Sequence, residues 1–249
     1  MPFTRLIDYF EVKAALCAND GELGGLLADV TRELGFDYFA LLHHASLTVE
    51  KAGLIRIDNY PAGWEEELRE RGWLDADPVH HACLRTNIGF AWFEIEHLVP
   101  VGPEGRALLE RSRHFDLGDG FTIPVNVPGE PIGSCSFAVR TGVALAPDRL
   151  LSAEQIGAHA FRAARRIHDY PAAARCPHLS RRERQCARLL ASGKTDWEIA
   201  TILGLSVETV HQYVKRARAA YDVVSRAQLV ACLLRDALVS FDEAIPPDG

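Results

Sequence analysis

The chain has 249 residues, 48% hydrophobic and 24% charged, a composition that excludes an intrinsically disordered protein. Its formal charge of -7 hides a division: residues 1–174 hold 16 Lys and Arg against 25 Asp and Glu, whereas residues 175–236 hold 11 against 6. An acidic body joined to a small, locally basic module is compatible with a nucleic-acid partner for the second part only.

In chain order, Met1–Phe10 carries Arg5 and Asp8 and does not read as a leader peptide. Gly21–Gly35 places Leu23, Leu26, Leu27, Val30 and Leu34 at helical spacing and ends on a capping glycine. Phe36–Ala45 and Leu54–Tyr60 read as strands. Pro61–Gly72 and Pro78–Thr86 read as short helices, each opening with proline. Phe90–Phe93 is a short strand candidate and Glu104–Phe115 a helix. Phe121–Val127 and Ile132–Arg140 flank Pro-Gly-Glu at 128–130, a hairpin signal, and a long helix spans about Ser152–His168. Five strand candidates with helices before, between and after them predict a mixed, layered domain over residues 1–169 with a mostly antiparallel sheet.

Residues 170–178, with Pro171, Pro177 and three alanines, read as a linker, and residues 179–249 as an all-helical domain. Its four expected helices are Arg182–Ala191, capped by Ser180 with Glu183 at the capping-box offset; Thr195–Leu203, ended by Gly204; one from Ser206 to about Tyr221; and Ser225 to about Val239. The tail Pro246–Gly249 is expected to be disordered. The second and third helices, joined through Gly204-Leu205-Ser206, form a helix-turn-helix pattern. Ile199, Ala200, Ile202 and Leu203 supply one apolar stripe, and Val207, Val210 and Val214 the other. The opposite face of the third helix shows Glu208, His211, Gln212, Lys215, Arg216 and Arg218, residue types that suit base edges and phosphates. A solvated basic face on a plain helical bundle fits the same periodicity.

Other chemistries find little support. Gly193-Lys194-Thr195 suggests a phosphate loop, but the glycine it would need five residues earlier is Arg188, so Lys194 and Thr195 read as helix-capping and phosphate-touching residues. There is no GxSxG, HExxH or dinucleotide fingerprint, so no enzyme is expected. The six cysteines are scattered and read as reduced. The pairs His43-His44 and His80-His81 cannot chelate alone because neighbouring side chains diverge, so neither metal nor cofactor is expected, although either pair can edge a pocket. No stretch approaches the roughly 20 apolar residues of a membrane span, and a cytoplasmic location is expected.

The strings Leu179-Ser-Arg-Arg-Glu183, Gly193-Lys-Thr-Asp-Trp-Glu-Ile-Ala200 and Leu205-Ser-Val-Glu-Thr-Val210 resemble the DNA-binding domain of LuxR-type regulators across roughly 176–240. Asn59–Trp64, Asp75–Val79, Gly89–Trp92 and Gly120–Pro124 resemble the autoinducer-binding domain of the quorum-sensing branch across about 20–165. The resemblance implies an α+β protein: an α/β/α sandwich that encloses an acyl-homoserine lactone, followed by a four-helix helix-turn-helix domain. It implies that the Trp64 indole N–H donates to the lactone carbonyl, that Asp77 accepts from the ligand amide, that Trp92 packs on the lactone ring and that Ser136 donates to the acyl carbonyl. Leu68 stands where many members have tyrosine, so that contact is missing or falls to Tyr60; a non-lactone signal, or action without ligand, is the alternative. On the DNA side it implies Lys194, Thr195, Ser206, Thr209, His211, Gln212, Lys215, Arg216 and Arg218 as contacts, a homodimer paired through the fourth helix, and a palindromic double-stranded site. Tyr213 stands where many members have histidine.

Each site residue also has a plain structural role open to it. Asp77 before Pro78 is a good helix N-cap, worth about 1 kcal/mol, and the tryptophans can be ordinary core aromatics.

Overall fold

The computed structural model describes residues 3–44, 53–170 and 177–245. The chain divides into two compact units, Met1–Pro171 and Ala172–Gly249, where the sequence suggested 1–169, a linker at 170–178 and 179–249. Tyr170 belongs with the first unit: its hydroxyl donates to the Gly53 carbonyl at 2.9 Å and lies 3.2 Å from His43 Nδ1. Most of the expected linker, and the tail Pro246–Gly249, lie outside the described residues.

The first unit opens with α1 (Phe3–Leu16) and α2 (Asp20–Glu33). The sequence reading missed α1, although Leu6, Phe10 and Ala14 repeat every fourth residue and all three are buried. β1 (Tyr38–His43) and β2 (Arg56–Asp58) follow, then α3 (Trp64–Glu70). This helix does not start at Pro61, because Gly63 sits left-handed at φ 84° as its N-cap and resets the chain. A 3-10 turn at Trp73–Ala76 leads to α4 (Pro78–Cys83), which does open on its proline. β3 is only Phe90–Ala91, because the chain then coils into a 3-10 turn, Trp92–Glu94, in which the Glu94 carboxylate accepts from the Ala91 N–H at 2.9 Å. Next come α5 (Ile95–Leu98), α6 (Pro103–His114), the hairpin strands β4 (Gly120–Val125) and β5 (Gly133–Ala138), and α7 (Pro147–Ile167). α7 begins five residues before the expected Ser152, at a proline in the first turn.

The five strands form one sheet in the order β2-β1-β5-β4-β3, every neighbouring pair antiparallel. Alternation along the strands gives it two unlike faces. On one face Phe39, Leu41, Phe121, Ile123, Cys135 and Phe137 join Phe10, Leu27, Ile156 and Phe161 of α1, α2 and α7 in a continuous apolar core. On the other, the register Leu42↔Ser134, Ala40↔Ser136 and Thr122↔Ser136 lines up Thr122, Ser134 and Ser136 beneath α3, α4 and α6. Three buried hydroxyls, two of them directly opposite on neighbouring strands, need partners, and that face is not filled like its opposite.

The second unit contains α8 (Arg181–Ala191), α9 (Asp196–Leu203), α10 (Val207–Ala220) and α11 (Arg226–Arg235), with a further short helix, α12 (Phe241–Ala244), beyond the four expected. α11 stops at Arg235, short of Val239, where the chain turns through Ala237 at φ 53° and lets Val239 fold into the core. Each helix starts on a hydroxyl cap: Ser180, Thr195, Ser206, Ser225 and Ser240. The core is Leu179, Cys186, Leu190, Ile199, Val210, Val214, Ala217, Tyr221, Leu229 and Leu233. Two residues of the expected stripes lie outside it. Ile202 is 55% exposed because it lies about 200° round the helix from Ala200, and Val207, 45% exposed, projects from the first turn of α10 beyond the packed helices.

Candidate functional site

Between the hydroxyl-bearing sheet face and the helices above it lies a cavity of about 380 Å³, a size that suits a small organic ligand. Its wall includes Tyr60, Trp64, Leu68, Asp77, Trp92 and Ser136, which come from a loop, α3, α4, the 3-10 turn and β5.

On the sheet side a chain of hydrogen bonds fixes the wall. The Trp92 indole N–H donates to Thr122 Oγ1 at 2.8 Å, Thr122 Oγ1 lies 2.8 Å from Ser136 Oγ, and Ser136 is hydrogen-bonded in turn to the Tyr60 hydroxyl. Burial pushes the Tyr60 phenol well above its usual range, so it stays protonated. Trp92 is seated by Gly120: a Cβ there would fall 2.5 Å from the indole Cε2, so only a glycine lets the ring lie this close to the strand.

The helix side is less tied. The Trp64 indole packs tilted on Phe115 with ring centroids 5.4 Å apart, and its N–H makes no hydrogen bond to a described residue. Leu68 joins Trp64, Leu108 and Leu117 in an apolar patch. Asp77 caps α4 by accepting from the Val79 N–H at 2.9 Å. Burial raises its carboxyl pKa against the pull of the Val79 and His80 amides. The side chain lines the cavity yet lies deep among protein atoms, and that burial sets the direction of its shift. A carboxylate so placed has capacity for another donor.

Further along β5, His44 Nε2 lies 2.8 Å from Ser134 Oγ, and the His44 ring stacks on His80 with centroids 4.6 Å apart and planes 8° from parallel. Burial drops His44 to about 3 and His43 to about 4, so both rings are neutral near pH 7. Among the described residues no group of three or more His, Cys, Asp or Glu could hold a metal ion, and Cys17, Cys83, Cys135, Cys186 and Cys232 are free thiols. Cys176 lies outside the described residues.

In the second unit, Glu208, His211, Gln212, Lys215 and Arg216 stand exposed on α10. Gln212 donates to Glu208 at 2.9 Å, and His211 Nδ1 is 3.6 Å from Asp196. Lys215 and Arg216 form no ion pair among the described residues. Ser206 and Thr195 spend their hydroxyls on the caps of α10 and α9, Thr209 Oγ1 lies 2.7 Å from Ser206 Oγ, and Lys194 is 3.6 Å from Glu198. Arg218 stands apart from the others: its guanidinium turns back to donate to the Val224 carbonyl and is half-buried. That bond ties the end of α10 to the following turn.

A family model described as an autoinducer binding domain matches residues 19–167, more than half of the chain, and one described as bacterial regulatory proteins of the luxR family matches 177–233. The chain belongs to the LuxR family. As a LuxR-type quorum-sensing transcriptional regulator, it resembles the transcriptional activator VanR of Vibrio anguillarum, at 27% identity over 84% of this chain and 87% of that one. It also resembles LuxR of Aliivibrio fischeri, at 24% identity over 88% of both chains. Among solved structures it is similar to SdiA of Escherichia coli, with a TM-score of 0.66 at 22% identity over 95% of this chain and 98% of that one, which establishes the shared fold. These relatives are transcriptional regulators, and no described helix of this LuxR-type chain is long and apolar enough to cross a membrane.

Sequence reasoning missed the hydroxyl and imidazole wall. Thr122 and Ser134 never entered the expected site, although polar residues at alternate positions of β4 and β5, inside otherwise apolar strands, were the available signal. His44 and His80, noted only as able to edge a pocket, meet because β1 and α4 converge, which no spacing in the sequence encodes.

Proposed function

We propose that the cavity binds an acyl-homoserine-lactone-type signal and that occupancy controls binding of a dimer to a palindromic DNA site. One observation carries this reading: polar groups with spare hydrogen-bonding capacity, the Trp64 N–H and the Asp77 carboxylate, share an apolar-walled cavity with Tyr60 and Ser136. In this reading the Trp64 N–H donates to the lactone carbonyl and Asp77 accepts from the amide N–H. Ser136, backed by Tyr60 and Thr122, donates to the acyl carbonyl, and Trp92 walls the ring. Tyr60 replaces the hydroxyl that Leu68 lacks.

Ligand burial completes the core of the sensor unit. A ligand present at a hundred times its Kd adds about 2.7 kcal/mol to the stability of the state that binds it. On the DNA side, Gln212, Lys215 and Arg216, with His211 at the edge of the same face, enter a major groove, while the backbone amides capped near Thr195 and Ser206, with Lys194, meet phosphate. Val230 and Leu234, half-buried on α11, supply a face for pairing two such modules. The protein works where the chromosome is, in the cytoplasm, and no catalytic step is required.

The test is duplex binding by the full chain with and without N-acyl homoserine lactones of short to long acyl chain. The expected result is a rise in melting temperature and a tighter, salt-sensitive complex with ligand. An unchanged melting temperature and DNA affinity across that panel would overturn the reading. Leu68 favours one second reading, a non-lactone acyl signal: the similar SdiA structure is described in complex with octanoyl-rac-glycerol. Release and mass determination of whatever co-purifies with the chain separates the two.

A further inference from the structure

The polar wall runs further than an acyl carbonyl needs. Ser134 lies two residues before Ser136 on β5, about 7 Å along the strand on the same face. Register carries this line onward, since Ser134 pairs with Leu42 and the His44 N–H donates to the Ile132 carbonyl at 2.6 Å. From the helix layer His80 reaches the same place, one turn after Asp77, and stacks on His44. Ser134, His44 and His80 all line the cavity.

These groups are only partly satisfied by the protein. A neutral imidazole has one donor and one acceptor nitrogen. His44 spends Nε2 on Ser134, and neither its Nδ1 nor either His80 ring nitrogen hydrogen-bonds a described residue. Burial holds His80 below its usual range and His44 well below, so the wall is an uncharged hydrogen-bonding surface rather than a cationic one. A saturated chain laid against it would leave those groups without partners, at a cost of about 1–3 kcal/mol for each buried one. A site built to hydrogen-bond a hydroxyl discriminates strongly against the analogue that lacks it.

We infer that the signal carries a neutral hydrogen-bonding group near the end of a medium-length acyl chain, and that Ser134, His44 and His80 select it. This rests on the cavity being the signal site. The hydroxyl or carbonyl of the ligand bonds to the His80 and His44 nitrogens while its head is held at Trp64 and Asp77.

The experiment compares two lactones of equal heavy-atom count, N-(ω-hydroxyhexanoyl)homoserine lactone and N-heptanoyl homoserine lactone, which differ by a terminal hydroxyl in place of a methyl. Kd values are measured by calorimetry on the full-length protein, on His80→Phe and on His44→Gln. Wild type is expected to bind the hydroxyl compound about tenfold more tightly, and His80→Phe to reverse the order. A wild-type preference for the heptanoyl compound overturns the inference whether or not the variants fold. So does a ratio that His80→Phe leaves unchanged. If neither compound nor any plain N-acyl homoserine lactone binds, the proposed function fails first and takes this inference with it.

Discussion

In the C-terminal unit every helix from α8 to α12 begins on a Ser or Thr that caps it, and an unbroken apolar cluster lies beneath. The N-terminal unit has a continuous apolar core on one sheet face but keeps a cavity of about 380 Å³, hydroxyls and neutral histidines on the other. The first arrangement is finished by the chain itself and leaves most of its charged groups outside. The second holds polar groups whose full satisfaction requires something from solution. A sensor and an effector thus differ physically in whether the core is complete, which is why one can respond to a ligand and the other can be a rigid tool.

Acid should divide the two units most strongly. His43 and His44 are held neutral when folded but take a proton near pH 6.5 when unfolded, so the unfolded chain binds more protons below that pH. Stability is therefore fully present above about pH 6.5 and falls as pH drops toward about 4, by roughly 1 kcal/mol per pH unit for each ring. Urea midpoints of the sensor unit across that window measure it. His44→Gln should flatten the slope, and an unchanged slope would refute the assignment.

Asp77→Asn should cost the ligand complex about 1.5–3 kcal/mol, the worth of a hydrogen bond to a charged group. It should lower unliganded stability far less, since asparagine also caps helices. Equal ligand affinity in calorimetry would leave Asp77 only its cap. Gly120→Ala places a Cβ 2.5 Å from the Trp92 ring and should destabilise the sensor unit by about 1–3 kcal/mol while abolishing the ligand-induced rise in melting temperature. A fully stable, responsive variant would show that the seat of Trp92 does not matter.

On the other unit, Lys215→Ala should weaken operator binding by about 1–3 kcal/mol with no change in ligand affinity. Gel-shift titration against operator and scrambled duplexes checks both the loss and its sequence dependence. The smallest effect is local. Ser206→Ala should remove about 1 kcal/mol from the C-terminal unit alone. A matching loss in the sensor transition would contradict the independence of the two cores.

Much of this was legible in the chain because local chemistry dictated it. Ser180 with Glu183, Thr195 followed by Glu198, and Gly204 with Ser206 mark helix ends in sequence, and the structure has those ends. The Pro-Gly-Glu turn marked the hairpin. The misses came where tertiary packing decides. α1 carries its apolar repeat in a stretch that also holds Arg5, Asp8 and Glu11, and β3 is cut short because Trp92 turns inward over Gly120. The residues Tyr60, Trp64, Asp77, Trp92 and Ser136 entered through a family likeness, whereas the meeting of His44, His80 and Ser134 depends on sheet register and on where α4 lands.

The seat of Trp92 over Gly120 has a consequence for how such a receptor diversifies. Its ring is pinned by contact with the strand and by the bond to Thr122, which is itself engaged with Ser136, so altering any of the three disturbs the others. Trp64, Leu68 and His80 sit on helices and are held by packing and ring stacking, not by such a chain of hydrogen bonds among the described residues. New signal preferences in this lineage should therefore accumulate on the helical roof, while the strand floor is inherited almost intact.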